Sequence, residues 1–177
     1  MNLMRNIKNE KGIGLVEVIL ALGISVIVVT SLVSLSIYTV RSNLTAKLLL
    51  EGTKLANEQL EDVRAFREIM LASGDWASFV NALTSKNCST APCYIDFATV
   101  SGVIDANVVH SGAQTVNGAT PAEIVTRSFQ ISDPINIGST VDPSVDNVIR
   151  VSVSATWKIG SAPDKFSRVY TDLSNWR

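Results

Sequence analysis

Few side chains in this sequence have the type and spacing that chemistry requires. Cys88 and Cys93 enclose Ser89-Thr90-Ala91-Pro92. That spacing fits neither a C-x-x-C redox pair nor a zinc ligand set, and His110 is the chain's single histidine. In an extracytoplasmic domain the two thiols would form a local disulfide, and free thiols are the alternative. His110 stands alone in a strand-to-turn stretch and reads as a surface or edge histidine rather than a catalytic base. Asp142, Ser144, Asp146 and Asn147 place oxygen ligands in the run D-P-S-V-D-N. Such oxygens suit Ca²⁺, but the Gly and Glu of a calcium loop are missing and Asp-Pro turns are common, so no metal is expected. No G-x-S-x-G, Walker A, H-E-x-x-H or dinucleotide fingerprint occurs. Nothing pairs a nucleophile with a base, so the chain is expected to be neither an enzyme nor a cofactor carrier. The remaining candidate is Glu17, an acid inside an apolar run.

That run explains the composition. The 177 residues carry 46% hydrophobic and 18% charged residues, with a net charge of -1. Their mean hydropathy is +0.26. Disorder of the whole chain and bulk electrostatic binding of nucleic acid are both disfavoured. Ile13–Val40 concentrates the apolar residues, with Glu17 as its only charge. The uncharged stretch Val18–Val40 exceeds the roughly 20 residues needed to span a bilayer. It is also longer than the roughly 7–15 residues of a signal-peptide core, and no A-x-A site follows it. A plain single-pass anchor would fit. Such an anchor has little use for Glu17, since a carboxylate in the membrane costs a few kcal/mol. Arg5, Lys8 and Lys11 before the run favour a cytoplasmic N-terminus, and Arg41 and Lys47 after it blunt that bias. Length and the two cysteines place the C-terminal region outside.

Arg41–Ala72 continues without proline in good helix formers, its acids and bases balanced. Leu49, Ala56, Val63 and Met70 form an apolar row at seven-residue spacing, read as core packing rather than as a coiled coil. Gly52 is a weak point in that helix, costing about 1 kcal/mol against Ala. Ser73-Gly74-Asp75 stops it. Trp76, Phe79, Val80 and Leu83 predict a short helix. Tyr94–Val100, Val103–Val109, Glu123–Ile131 and Val148–Ile159 read as strands. Ile149, Val151, Val153, Ala155 and Trp157 alternate with polar residues there, the clearest half-buried strand of the chain. Gly160–Asp164 reads as a turn into an antiparallel partner, Phe166–Leu173. Further turns are expected at Ser111-Gly112, Asn117-Gly118, Asp133-Pro134 and Asp142-Pro143. The fold class is therefore α+β, an antiparallel sheet laid on the second half of a long helix. Residues 73–177 form the head, mildly acidic with nine Asp/Glu against seven Lys/Arg.

Lys11-Gly12-Ile13-Gly14-Leu15-Val16-Glu17-Val18 resembles the processing site of type IV prepilins and pseudopilins. The family pattern is a short basic leader ending in Gly, then a hydrophobic residue, then Glu, then an apolar helix. The resemblance implies that residues 1–12 are removed by a prepilin peptidase cutting between Gly12 and Ile13. It implies N-methylation of Ile13, with Glu17 the fifth residue of the mature chain. Residues 13–40 would then be the transmembrane and filament-core half of the helix, and 41–72 its amphipathic half. The Ile13 amine of a neighbouring subunit would neutralise Glu17, since paired buried charges cost far less than lone ones. Ile13 stands where Phe or Met is usual, and Gly14 where Thr or Ser is. Ser34 stands where many major pilins carry Pro, which favours a minor pilin or pseudopilin. The ending Val169–Arg177 is similar to the C-termini of some PilV-like minor pilins. The implied partners are prepilin peptidase, other pilin subunits and an inner-membrane assembly platform with its ATPase. Type IV pilus, type II secretion and competence filaments all remain open, as does a tip adhesin or DNA-uptake subunit. The head's acidity argues against strong nucleic-acid binding.

Overall fold

The computed structural model describes residues 11–99, 104–117, 124–135, 141–142, 147–158 and 164–175. The first ten residues of the expected leader, Gly118, Pro143–Asp146 and Gly160–Pro163 lie outside them, as do Trp176 and Arg177. The described chain divides into two units, with a boundary at Thr45/Ala46.

A first helix, α1 (Lys11–Ser73, 63 residues), contributes to both units. In the first unit every side chain from Gly14 to Asn43 is exposed, as suits an apolar surface made for lipid or other helices rather than for a core. This helix is long and apolar enough to cross a membrane. Most of its serine and threonine hydroxyls bond within the helix. Ser25 donates to the Ala21 carbonyl at 2.8 Å, Ser31 to Ile27 at 2.7 Å, Ser36 to Leu32 at 2.9 Å and Thr39 to Leu35 at 2.9 Å. Each spends its polar group on the helix's own backbone, which removes most of the cost of carrying it in an apolar medium.

In the second unit, α1 buries one face. That face runs through Leu48, Gly52, Leu55, Ala56, Gln59, Leu60, Val63 and Phe66. The seven-residue row read from the sequence is only partly the buried one. Ala56 and Val63 are fully buried, whereas Leu49 is 50% exposed and Met70 half-buried. A seven-residue row drifts about 20° per repeat on a helix of 3.6 residues per turn, so it leaves the covered arc at both ends. Asp75 ends the link after Ser73 and caps α2 (Trp76–Thr84), its Oδ1 accepting from the Ser78 N–H at 2.8 Å. Trp76 and Phe79 stand 5.4 Å apart by ring centroids, and Phe79 reaches Phe66 of α1 at 5.8 Å. These tilted aromatics close one end of the core.

The sheet has six antiparallel strands: β1 (Cys93–Ile95), β2 (Val109–Ser111), β3 (Gln114–Asn117), β4 (Ile124–Ser132), β5 (Val148–Trp157) and β6 (Lys165–Ser174). Their order is β2-β1-β4-β5-β6, with β3 also paired to β4. As the alternation requires, Ile149, Val151, Val153, Ala155 and Trp157 are buried, and the residues between them face away from the core. β6 pairs antiparallel with β5 along its whole length, from Trp157↔Lys165 to Val148↔Ser174. The first two strands are shorter than their composition suggests. Tyr94–Val100 becomes β1 followed by a 3-10 turn at Phe97–Thr99. In Val103–Val109 the described part is a 3-10 turn, Ala106–Val108, that leads into β2. Asp96 and Asp105 explain the breaks. Each carboxylate accepts a backbone N–H two residues on, at 2.9 Å from Ala98 and 2.8 Å from Asn107, and holds the chain in a turn.

Candidate functional site

Glu17 lies on the exposed part of α1, between Val16 at 62% and Val18 at 58% exposure. Among the described residues no hydrogen bond or ion pair reaches its carboxylate. Ser25, Thr30, Ser31, Ser36 and Thr39 of the run bond back to their own helix, which a carboxylate, having no proton to donate, cannot do. Glu17 is thus the one charged group of the apolar run, and it has no partner among the described residues. Gly12 and Ile13 lie in the helical backbone of α1.

In the head, Cys88 and Cys93 are joined by a disulfide, with Cα atoms 5.4 Å apart. The small loop is tied to the sheet on both sides. The Ile131 N–H of β4 donates to the Cys88 carbonyl at 3.0 Å, and Cys93 opposes Phe129. Ser111 Oγ of β2 donates to the Lys86 carbonyl at 2.9 Å. Asn87 precedes the loop with φ 60, the left-handed region that Asn tolerates well. The pair therefore clamps α2's exit to the centre of the sheet.

His110 sits on the edge strand β2, its ring stacked on Tyr94 across the strand pair at 5.0 Å. Its Nε2 is buried and makes no hydrogen bond. Among the described residues no carboxylate bonds to it. Of the oxygen-rich run, Asp142 and Asn147 are described, while Ser144 and Asp146 lie outside the described residues.

Three features of the second unit were not visible in the sequence. Gln59 is fully buried on α1, and neither its Oε1 nor its Nε2 has a partner among the described residues. Arg127 of β4 reaches back to α1, with Glu58 at 3.7 Å and Asp62 at 3.8 Å, and donates from Nε to Gln114 Oε1 at 2.7 Å. Burial raises the Asp62 carboxyl above its ordinary value; Arg127 opposes the shift, and Glu58 and Asp96 add to it. On the opposite side of the sheet, Arg150 grips Asp172 with two bonds of 2.7 and 2.9 Å. That hydrogen bonding holds the Asp172 carboxyl below its ordinary value. Only β5's alternation could have flagged this outer face in advance.

No family model matches the chain, and no curated protein or solved structure matches it significantly.

Proposed function

We propose that the chain is a minor pilin or pseudopilin, a structural subunit of a type IV pilus-like filament. In this reading it waits in the inner membrane through the first half of α1, N-terminus inside and head outside. Prepilin peptidase removes residues 1–12, and an assembly platform with its ATPase draws the subunit into a filament at the cell surface. The single observation that carries the reading is Glu17, a lone acid five residues past Gly12 in an otherwise uncharged run, with no partner of its own. A free Ile13 amine on a neighbouring helix supplies the opposite charge and sets the axial stagger. The pilin-like layout of a long apolar helix continuing onto an antiparallel sheet supports it. The Cys88–Cys93 bridge suits an oxidising compartment, which agrees with a head outside the membrane.

The experiment is co-expression with a prepilin peptidase, followed by intact-mass measurement of the membrane fraction. The expected product has lost Met1–Gly12 and gained one methyl group on Ile13. An unchanged mass beside an active peptidase that cuts a control prepilin would overturn the reading.

A further inference from the structure

We propose that the solvent-facing side of the sheet holds a binding site for a carboxylated sugar residue, centred on Arg168. Strand register builds the site. Ser154 of β5 lies between Ser128 of β4 and Arg168 of β6, and the next row reads Gln130, Ser152, Tyr170. The row beyond is Ser132, Arg150, Asp172. Period-two alternation sends all of these side chains to the face opposite the core. A pocket of about 230 Å³ opens here, lined by Gln130, Ile131, Ser132, Ser152, Ser154 and Arg168 and walled by Ser89 of the disulfide loop.

Charge complementarity chooses the occupant. The two arginines of this face differ in state. Arg150 is neutralised by the two-point grip of Asp172. Arg168 has no carboxylate partner among the described residues, and its guanidinium lies over the Phe166 ring at 5.8 Å. Among the described residues it is the only charge lining the pocket. A planar guanidinium prefers a carboxylate that it can hold at two points. Beside Ile131, the other described liners are serine hydroxyls and one amide, groups that both donate and accept and so match a polyhydroxylated ring. Tyr170, 69% exposed and paired opposite Ser152, adds ring surface beside these residues, with the Arg150 guanidinium over the ring at 5.4 Å. The volume falls below the roughly 300 Å³ of drug-sized pockets, which suits one sugar ring rather than an extended molecule. Nucleic acid fits less well. Phosphate chains are held by several cations at once, and this face offers one uncompensated arginine. The site stands on the head alone and does not depend on the filament reading.

The test titrates the full chain, in detergent micelles, with oligogalacturonate, and in parallel with a neutral dextran oligomer, inorganic phosphate and a thymidine oligonucleotide. Saturable binding of oligogalacturonate is expected, with affinity for dextran lower by about tenfold or more. R168Q is expected to weaken oligogalacturonate binding by about tenfold or more, and R168K by less, because Lys keeps the charge but loses the two-point grip. Tyr170→Ala is expected to weaken it a few-fold. Both positions are exposed, so thermal unfolding should be unchanged, and each variant is checked for that. The proposal fails if oligogalacturonate does not bind, if dextran binds equally, if R168Q binds as wild type, or if phosphate or the oligonucleotide binds more tightly than the sugar acid.

Discussion

Gly52 lies against the indole of Trp157, the last residue of β5. A Cβ placed there would come within 2.4 Å of the ring. The residue that weakens α1 as an isolated helix is the one that lets helix and sheet approach. Gly52→Ala should therefore destabilise the head by about 1–2 kcal/mol, because overpacking outweighs the roughly 1 kcal/mol gained in helix propensity. Urea unfolding of the two chains would measure it; a stabilised variant would show that the indole moves aside at no cost. Gln59 presents the reverse case. Its amide is buried with nothing to bond, so Gln59→Met, of similar shape, should stabilise by about 1 kcal/mol or more. A lower unfolding midpoint in the variant would mean that an ordered water or another group satisfies the amide. At Glu17, exchange for Ala should leave membrane insertion intact or improve it, since a few kcal/mol of charge burial disappear. Incorporation into filaments should be lost, as read by shearing and immunoblotting; normal incorporation would remove Glu17 from assembly.

At the scale of elements, two acid–base contacts bind strands to their neighbours with opposite pH signs. Asp172 has a lowered carboxyl pKa because Arg150 bonds it. Its contribution is complete above the ordinary carboxylate value and is lost as pH falls through the folded value. Asp62 has a raised pKa through burial, with Arg127, Glu58 and Asp96 facing it. The folded state then holds its proton longer than the unfolded chain does, so stability declines as pH rises from the ordinary value to the folded one. Asp62→Asn should flatten that decline and leave the acid limb, whereas Asp172→Asn should weaken the acid limb. Unfolding free energies from pH 3 to 7 would separate them. The disulfide acts at the same scale. Cys88→Ser with Cys93→Ser should cost about 2 kcal/mol, the entropy of closing so short a loop. Its loss should also raise hydrogen exchange at Ile131, whose N–H bonds the Cys88 carbonyl.

For the whole molecule, the boundary at Thr45/Ala46 separates an exposed apolar helix from a unit with its own core. A chain beginning at Ala46 is expected to stay in solution without detergent and to unfold in one cooperative step, measured by circular dichroism. Aggregation of that fragment would mean that residues before Ala46 complete the core.

Apolar runs and alternation are local properties, and they were enough for the elements that matter most. Ile13–Val40 had to be helical, because an apolar segment of that length satisfies its backbone groups in no other simple way. Ile149, Val151, Val153, Ala155 and Trp157 had to share a face, since successive strand residues point to opposite sides. Helix start and stop at Asp75 and the β5–β6 pairing were legible for the same reason. Short strands were not. β3 at Gln114–Asn117 carries a single buried-type residue, Val116, and exists because β4 is already there to pair with it. The turns at Asp96 and Asp105 broke strands that composition alone had drawn longer. The buried arc of α1, the Gly52–Trp157 contact, the isolation of Gln59 and the reach of Arg127 to Glu58 and Asp62 depend on which side of the sheet lies opposite each helical turn. The same is true of the outer face, where register alone brings Arg168 beside Ser154. Such pairings join residues distant in the chain. No local pattern encodes them, and they form only when the sheet closes on the helix.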